Sequence, residues 1–358
     1  MKKLNVAIIG QGRSGRDIHG NYFLSELNTH FNVKYVVEAD KTRRDIAKEE
    51  YKDCIVFEDY TALFDVDDVD LVVNASYSHM HYPITKDLLA HGKNVLVEKP
   101  FARNRYECDD LIKTAKEKGA VLSVFQQSMV APYYLKVKEL LAQNLIGNVL
   151  QVNIRYNGFS RRWDWQTLQS KMGGNVYNTG PHPLGLAMDF LDFSEETRVA
   201  YSKLASSEMF SGDAENFAKI ILTAPGKPVV DVEINSTDPY TDYNMKIIGE
   251  RGTIKASLGK YSCKYITPGE NPDQPVKEEF IYEGENKKPV YCKENLISHE
   301  ISEEIKGSVF TEAVHAVYES MYSAITEGGE LLIKPELFAR LYGVIAQIHD
   351  QNPLERKF

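Results

Sequence analysis

No apolar run in this 358-residue chain approaches the ~20 residues a helix needs to cross a bilayer, so no membrane span is expected. Cysteine is scarce. Cys54, Cys108, Cys263 and Cys292 lie far apart and form no Cys-x-x-Cys pair. That argues against a structural zinc or disulfide framework and for a reducing compartment. Positive charge is in deficit: 42 Lys and Arg against 51 Asp and Glu leave a net charge of −9, so no broad nucleic-acid surface is expected. The opening Met1-Lys2-Lys3-Leu4-Asn5-Val6 enters a strand pattern directly, without the apolar core and small-residue cleavage site of a signal peptide. A cytoplasmic location is expected. No internal repeat is visible. What is present is ordinary for a globular protein, with 43% hydrophobic and 26% charged residues. The length suggests about two domains.

The first 125 residues alternate between strand and helix patterns. Strands fit at Leu4–Ile9, Val33–Glu38, Ile55–Phe57, Leu71–Ala75, Val95–Val97 and Val121–Phe125. A polar helix-like stretch reaches about Asn28, and helices fit at Thr42–Tyr51, His81–Ala90 and Tyr106–Lys118. Gly92 and Gly119 serve as stop signals for the last two. This spacing implies βαβ units: an α/β fold whose doubly wound parallel sheet carries helices on both faces.

That context gives weight to Gly10-Gln11-Gly12-Arg13-Ser14-Gly15, which follows the first strand and opens a helix. Gly10 suits the tight turn, Gly12 a close backbone approach to a pyrophosphate, and Gly15 close helix–strand packing. The helix N-terminus offers free N–H groups to phosphate. Glu38, at the end of the second strand, can accept hydrogen bonds from a ribose and repels a 2′-phosphate, which favours NAD. Arg43 and Arg44 follow closely, so NADP stays open, although a solvated helix face explains them as well.

In Asn94-Val95-Leu96-Val97-Glu98-Lys99-Pro100 a charged pair ends an apolar run. A lysine at a strand end reads first as a solvated charge. Ligands in open α/β sheets bind beyond the carboxyl ends of strands, which makes Lys99 a candidate catalytic group.

Several segments together resemble the glucose–fructose oxidoreductase/inositol dehydrogenase (Gfo/Idh/MocA) family. Asp70 to His81 is similar to its fourth-strand segment, and Gly92 to Pro100 to its G-K-x-V-x-x-E-K-P signature. Ile247 to Ile254 resembles a late segment of its second domain. Gly173-Gly174-Asn175-Val176-Tyr177-Asn178-Thr179-Gly180-Pro181-His182 resembles its G-G-x-x-x-D-x-G-x-H motif. The resemblance implies a Rossmann domain over 1–125. It also implies an α+β domain over 126–358, with a large, mostly antiparallel open sheet for substrate binding and oligomer contacts. A homodimer or homotetramer is the implied assembly. Lys99 becomes an active-site lysine. Ala75, Ser76, His81 and Glu98 join Gly10, Gln11, Gly12, Arg13, Ser14, Gly15 and Glu38 as cofactor contacts.

The later segments agree with that plan. Leu150, Val152, Ile154 and Tyr156 alternate with polar residues, as in a strand with one buried face. Strand-like runs follow at Arg198–Lys203, Ala218–Thr223 and Val229–Ile234. Phe310–Ile325 and Pro335–Gln347 read as a terminal helix pair. Pro268 to Val290 is the most loop-like stretch. Leu184 to Leu191 suggests a buried helix with Pro183 at its first position and His182 at its N-cap. A helix N-terminus disfavours imidazolium, so His182 is a candidate general base. Capping or packing without chemistry is the alternative.

The expected chemistry is hydride transfer between a nicotinamide, NAD with NADP as the alternative, and a secondary alcohol or ketone of a sugar, polyol or derivative. Lys99 would polarise the oxygen and His182 would serve as acid/base. Asn178, where an aspartate is common, could bond a hydroxyl or orient His182. Arg162, Trp163, Trp165 and Tyr156 are candidate substrate contacts, although tryptophans here could equally pack a domain interface. Gln126-Gln127-Ser128-Met129 stands where the family often carries N-R-R. His79-x-His81 lacks nearby acidic or cysteine ligands for a metal. A non-catalytic dinucleotide-binding sensor on the same fold is the competing function.

Overall fold

The computed structural model describes residues 3–358. Runs of Val, Ile and Leu without polar alternation build the first sheet. Its strands are β1 (Leu4–Ile9), β2 (Phe31–Val37), β3 (Ile55–Phe57), β4 (Leu71–Asn74), β5 (Val95–Glu98) and β6 (Leu122–Phe125). They pair in parallel in the order β3-β2-β1-β4-β5-β6. All residues of β4, β5 and β6 are buried, as strands covered on both faces must be. The order reverses between β1 and β4, where a ligand crevice opens beyond the carboxyl ends.

The helices of this half are α1 (Asn21–Leu24), α2 (Lys41–Glu50), α3 (His81–Ala90) and α4 (Arg105–Lys118). Asp40 caps α2 at Arg43 N–H, and Asn104 caps α4 at Glu107 N–H. Gly119 ends α4 at φ +64°. The stretch after the glycine loop, Arg13–Gly20, winds as a wide π-type helix that continues into α1.

The chain then crosses through α5 (Pro132–Ala142) to β7 (Val149–Asn157), α6 (Asn175–Asn178) and α7 (Pro181–Phe190). Next come β8 (Arg198–Ala205), β9 (Phe217–Thr223), β10 (Val229–Asn235), β11 (Met245–Gly249), β12 (Gly252–Ala256) and β13 (Lys260–Tyr265). A small hairpin, β14 (Ile281–Glu283) and β15 (Lys288–Val290), lies in the exposed stretch before β16 (His299–Glu304). The eight-stranded sheet has the order β16-β13-β12-β11-β7-β10-β9-β8. The β7–β10 pair is parallel and its other pairs are antiparallel.

One face of this sheet is apolar and covered. Val152, Ile154, Ile220, Leu222, Val230 and Val232 are fully buried there. Leu150, expected on that face, is exposed; it lies at a register shift, where Val149 and Gln151 pair with the successive residues Gly249 and Ile248 of β11 and Leu150 is passed over. The other face carries charge. Arg155 reaches Asp231 at 2.9 Å, and Lys219 reaches Asp231 at 2.7 Å and Glu233 at 3.5 Å.

Two terminal helices, α8 (Glu312–Glu327) and α9 (Pro335–Gln351), return to the first sheet. Tyr318 of α8 is buried and stacks on Tyr22 with ring centroids 4.4 Å apart. The Tyr342 hydroxyl of α9 accepts the Phe101 N–H at 2.7 Å, and Ser123 Oγ donates to the Ile333 carbonyl at 2.8 Å. Among the described residues, no helix is long and apolar enough to cross a membrane.

Candidate active site

The glycine loop lies between the carboxyl ends of β1 and β4. Gly10 has φ +90°, and a Cβ there would stand 2.5 Å from the Ala75 carbonyl oxygen. A Cβ on Gly15 would overlap the Gly10 carbonyl oxygen. Both glycines are therefore required by the protein itself. Gly12 is different: its φ of −80° suits any residue, and nothing lies within 4 Å of where its Cβ would be. The protein has no packing use for a glycine there. A ligand approaching the backbone does, as a pyrophosphate would. The loop, with Gln11, Arg13 and Ser14, fits a dinucleotide.

Glu38 sits beside that loop at the end of β2. Its carboxylate accepts Gln11 N–H at 2.7 Å and Asp40 N–H at 3.0 Å. Arg43 Nη1 stands 3.8 Å from the same carboxylate on a half-exposed side chain. Arg44 is not on a solvated helix face. It is buried, donates to the Glu38 and Ala39 carbonyls at 2.7 Å each, and pairs with Glu58. Those bonds close the turn after β2 and leave Arg43 as the cation facing outward.

Beyond β4, Ala75 N–H donates to Ile9 O at 2.9 Å, and Ser76 Oγ donates to Asn74 Oδ1 at 2.7 Å. His81 and Glu98 stand behind the cleft wall, each only 2% exposed. The His81 ring nitrogens lie 2.7 Å from Pro100 O and 3.1 Å from Ser76 O. His81 thus ties the two loops that leave β4 and β5, and burial lowers its pKa. Glu98 lies 3.2 Å from His19 Nε2 and accepts Lys99 N–H at 3.0 Å. Burial opposes its charge, but the His19 hydrogen bond and the nearby Lys99 and His81 charges outweigh burial and hold its pKa below the ordinary value. These residues brace the cofactor cleft from within.

Lys99 emerges after β5 and crosses to the second half of the molecule. Its ammonium donates to the Asn178 carbonyl oxygen at 3.0 Å. Burial lowers its pKa, and the Arg13 and Arg162 charges push the same way against the opposing Glu98. Three cations from the glycine loop, β5 and the second-domain loop thus converge on one cleft of an acidic chain.

The glycines around α6 have local reasons. A Cβ on Gly173 would press on the Gln166 carbonyl at 2.5 Å, one on Gly174 would strike the Glu215 carboxylate, and one on Gly180 would strike the Val176 carbonyl. Glu215 is buried beneath α6 and accepts Val176 N–H at 2.9 Å. This packing presents the Asn178 carbonyl to Lys99.

His182 is not the N-cap of α7. The helix starts at Pro181, so His182 lies within its first turn and Pro183 follows. Either proline satisfies the rule that early helical positions need no N–H, and the earlier one takes the role. His182 as a residue is half-buried. Burial, with the Lys99 charge added, lowers its pKa to about 3. Its Nδ1 lies 3.2 Å from Ser128 Oγ. Among the described residues Asn178 has no hydrogen bond to His182; its side-chain oxygen accepts Gln166 Nε2 at 3.1 Å.

Trp165 meets Tyr77 edge-on, with ring centroids 5.0 Å apart, so this aromatic pair bridges the two halves. Trp163 is 78% exposed. Arg162 pairs with Asp164 at 3.0 Å and its field reaches Lys99. Tyr156 is tied to Tyr133 through their hydroxyls at 2.7 Å. Among the described residues it has no hydrogen bond to Lys99 or His182.

Sequence reasoning singled out Gln126 and Ser128 only as a departure from the family's N-R-R, and missed His19, Tyr318 and Glu215. A usable signal existed for the first two, since they directly follow β6 as Lys99 follows β5. His19, four residues after Gly15, shares a helix face with it. Nothing in the sequence pointed to Tyr318 or Glu215.

The comparisons with known proteins agree with this architecture. Residues 4–126 match the family model described as oxidoreductase family, NAD-binding Rossmann fold, and residues 134–255 match the GFO/IDH/MocA C-terminal domain. A 2,7-anhydro-N-acetylneuraminate hydratase of Mediterraneibacter gnavus is 24% identical over 72% of this chain and 68% of its own length. The scyllo-inositol 2-dehydrogenase (NADP(+)) of Bacillus subtilis is 24% identical over 50% of this chain and 49% of its own length. Among solved structures, an NAD-binding protein from Listeria innocua superposes over the whole of both chains with TM-score 0.79 at 18% identity. A 3-ketoreductase from Actinomadura kijaniata, crystallised with NADP and TDP-benzene, covers 98% of both chains with TM-score 0.78 at 16% identity. With both of its domains matched over more than half of its length, the chain belongs to the Gfo/Idh/MocA family of oxidoreductases.

Proposed function

We propose that this protein is an NAD(P)-dependent oxidoreductase acting on a secondary alcohol or ketone of a sugar, polyol or derivative, with Lys99 and His182 on the reacting oxygen. One observation carries the reading. The Lys99 ammonium, at the carboxyl end of the cofactor-binding sheet, hydrogen-bonds the Asn178 carbonyl of the other half, within electrostatic reach of His182. The bound nicotinamide supplies the hydride acceptor or donor. Gly10, Gln11, Gly12, Arg13, Ser14 and Gly15 bind its pyrophosphate, and Ala75 and Ser76 line the same crevice. Glu38 takes the adenosine ribose and favours NAD, while Arg43 is the residue able to turn to a 2′-phosphate. Lys99 stabilises negative charge developing on the substrate oxygen. Arg162, Trp163 and Trp165 form the substrate rim, suited to hydroxyls and a carboxylate. The charged open face of the second sheet is the proposed contact between copies of a homo-oligomer, measurable as mass in solution by light scattering.

The test is a screen of purified protein with NAD and NADP against polyols, aldoses, inositols and sugar acids, following reduced-cofactor absorbance. Turnover lost in Lys99→Ala and His182→Ala supports the reading. Tight dinucleotide binding without turnover across the panel overturns it in favour of a sensor. Because one relative is named a hydratase, the panel includes an anhydro-sugar acid, with products followed by NMR. Product formation there without net change in cofactor absorbance would identify hydration instead of net oxidation.

A further inference from the structure

Between β13 and β16 the chain leaves the body of the protein over residues 268–298. None of these residues is buried, and all but Asn271, Ile281 and Val290 are exposed. The stretch nevertheless has a built form. Asn271 joins its two limbs: Oδ1 accepts Ile297 N–H at 2.7 Å, and Nδ2 donates to Ile297 O at 3.1 Å. Glu270 and His299 pair at its root at 2.5 Å, and β14 pairs with β15 further out. The result is an arm rooted at the edge of the eight-stranded sheet. Its composition does not suit a solvated loop. Val276 is 93%, Phe280 78% and Tyr291 90% exposed, and Tyr282, Leu296 and Ile297 are more than half exposed. Apolar groups gathered on one exposed element mark a contact surface. The arm is also acidic, with seven Asp and Glu against four Lys. Of those carboxylates, Glu270 alone has an ion-pair partner among the described residues.

The opposite charge lies on the open face of the same sheet. The strand registers put Lys246 of β11, Lys255 of β12 and Lys264 of β13 on the face that carries Arg155 and Asp231. Arg155 and Asp231 pair with each other, whereas none of the three lysines has an ion pair among the described residues. Lys264 stands opposite Glu300 in the register without bonding to it. Lys246 and Lys255 stand directly opposite each other, a like-charge pairing that destabilises a sheet until an anion is brought to it. One chain thus holds an acidic, apolar arm and a basic ridge, with no ion pair between them.

We infer that the arm of one copy of this chain docks across the Lys246–Lys255–Lys264 ridge of a second copy, and that the contact is reciprocal. This rests on the reading of the open sheet face as a homo-oligomer contact and names what holds it. A two-fold arrangement makes each such contact twice. The arm carboxylates neutralise the facing lysines and set the register of the two copies, while Val276, Phe280 and Tyr291 leave water against the partner. The arm is also remote from the cleft. Tyr265, where it departs, lies at the Val149 end of β7, whereas Arg162 follows the other end. Changes to the arm therefore leave the candidate active site of their own copy untouched.

The test is sedimentation of the full chain over a dilution series, with circular dichroism to establish that each variant is folded. Wild type should sediment at a multiple of the 40.6 kDa chain mass. Val276→Ser, Phe280→Ser and Tyr291→Ser together should raise the dissociation midpoint at least about tenfold, the equivalent of about 1.4 kcal/mol. These side chains are exposed in the single copy, so its fold should survive their loss. Charge reversal then asks what the arm meets. Lys246→Glu with Lys255→Glu should weaken association, and so should Glu278→Lys with Glu279→Lys. The four changes combined in one chain should recover it, because the signs again oppose across the contact. Oligomers that ignore the arm variants overturn the inference and leave the sheet-face contact standing. Losses that the fourfold combination does not recover overturn the pairing of arm with ridge. A monomeric wild type overturns both the inference and the homo-oligomer reading beneath it, with the arm then free for another partner.

Discussion

At the scale of single residues, the three glycines of the dinucleotide loop have different jobs and should fail differently. Gly10→Ala places a Cβ 2.5 Å from a carbonyl oxygen at φ +90° and should lower stability by about 1–3 kcal/mol. Gly12→Ala meets nothing within 4 Å, so its melting temperature should stay close to wild type, with a stability change within about 0.5 kcal/mol. Its dinucleotide affinity should nonetheless fall at least about tenfold, about 1.4 kcal/mol. Calorimetric melting and titration of both variants separate the two effects. Equal affinity in Gly12→Ala and wild type would remove the close backbone approach to pyrophosphate. His182 also has a pH signature. Its folded pKa of about 3 lies below its ordinary 6.5, so the unfolded chain binds the extra proton first. Stability from this group is complete above pH 6.5 and is lost as pH falls towards 3. Denaturant unfolding between those limits should show a shallower acid loss in His182→Gln than in wild type.

At the scale of elements, the stretch Arg13–Gly20 is braced by side chains far from it in sequence. His19 Nδ1 lies 2.7 Å from Tyr318 Oη on α8, and His19 Nε2 lies 3.2 Å from Glu98 on β5. All three side chains are buried. Tyr318→Phe leaves a buried imidazole nitrogen unpaired and should cost about 1–3 kcal/mol. It should also weaken dinucleotide binding, because the helix it loosens begins at the glycine loop. Unchanged affinity despite lower stability would show that loop and brace are independent. A second element-scale contact bears on the site. A Cβ on Gly185 of α7 would stand 3.3 Å from Gln126 Nε2. Gly185→Ala should therefore press on the Gln126 amide that donates to Ser128 Oγ and the Pro181 carbonyl, and should lower stability by about 1 kcal/mol, measured by denaturant unfolding.

At the scale of the whole molecule, the first sheet is completed by residues from the end of the chain. Tyr318, Ile333 and Tyr342 contribute contacts to residues between 19 and 123. A polypeptide of residues 1–130 exposes the apolar surface that α8 and α9 cover and should not melt cooperatively by circular dichroism. Restoring residues 309–358 through a flexible linker should recover the transition. Cooperative melting of the short fragment alone would mean that the terminal helices are accessory to the first sheet.

Much of this was legible in the sequence, and the reason is local. The strands of the first sheet are continuous apolar runs, the glycine loop is spaced for a turn that any Rossmann sheet requires, and Lys99 follows a strand whose end must face the crevice. Those features depend on residues within about one supersecondary unit, where periodicity and turn chemistry determine the outcome. Only the tertiary structure decided what meets what across the cleft. It turned Asn178 towards Gln166 and gave His182 to Ser128, buried Arg44 beneath a turn, withdrew Tyr156 to Tyr133, and set Glu98 and His81 behind the cleft wall. Each of those outcomes depends on which partner a polar side chain finds when residues tens or hundreds of positions apart are brought together. Buried polar groups must take whatever partner the fold supplies, and the sequence alone does not name that partner.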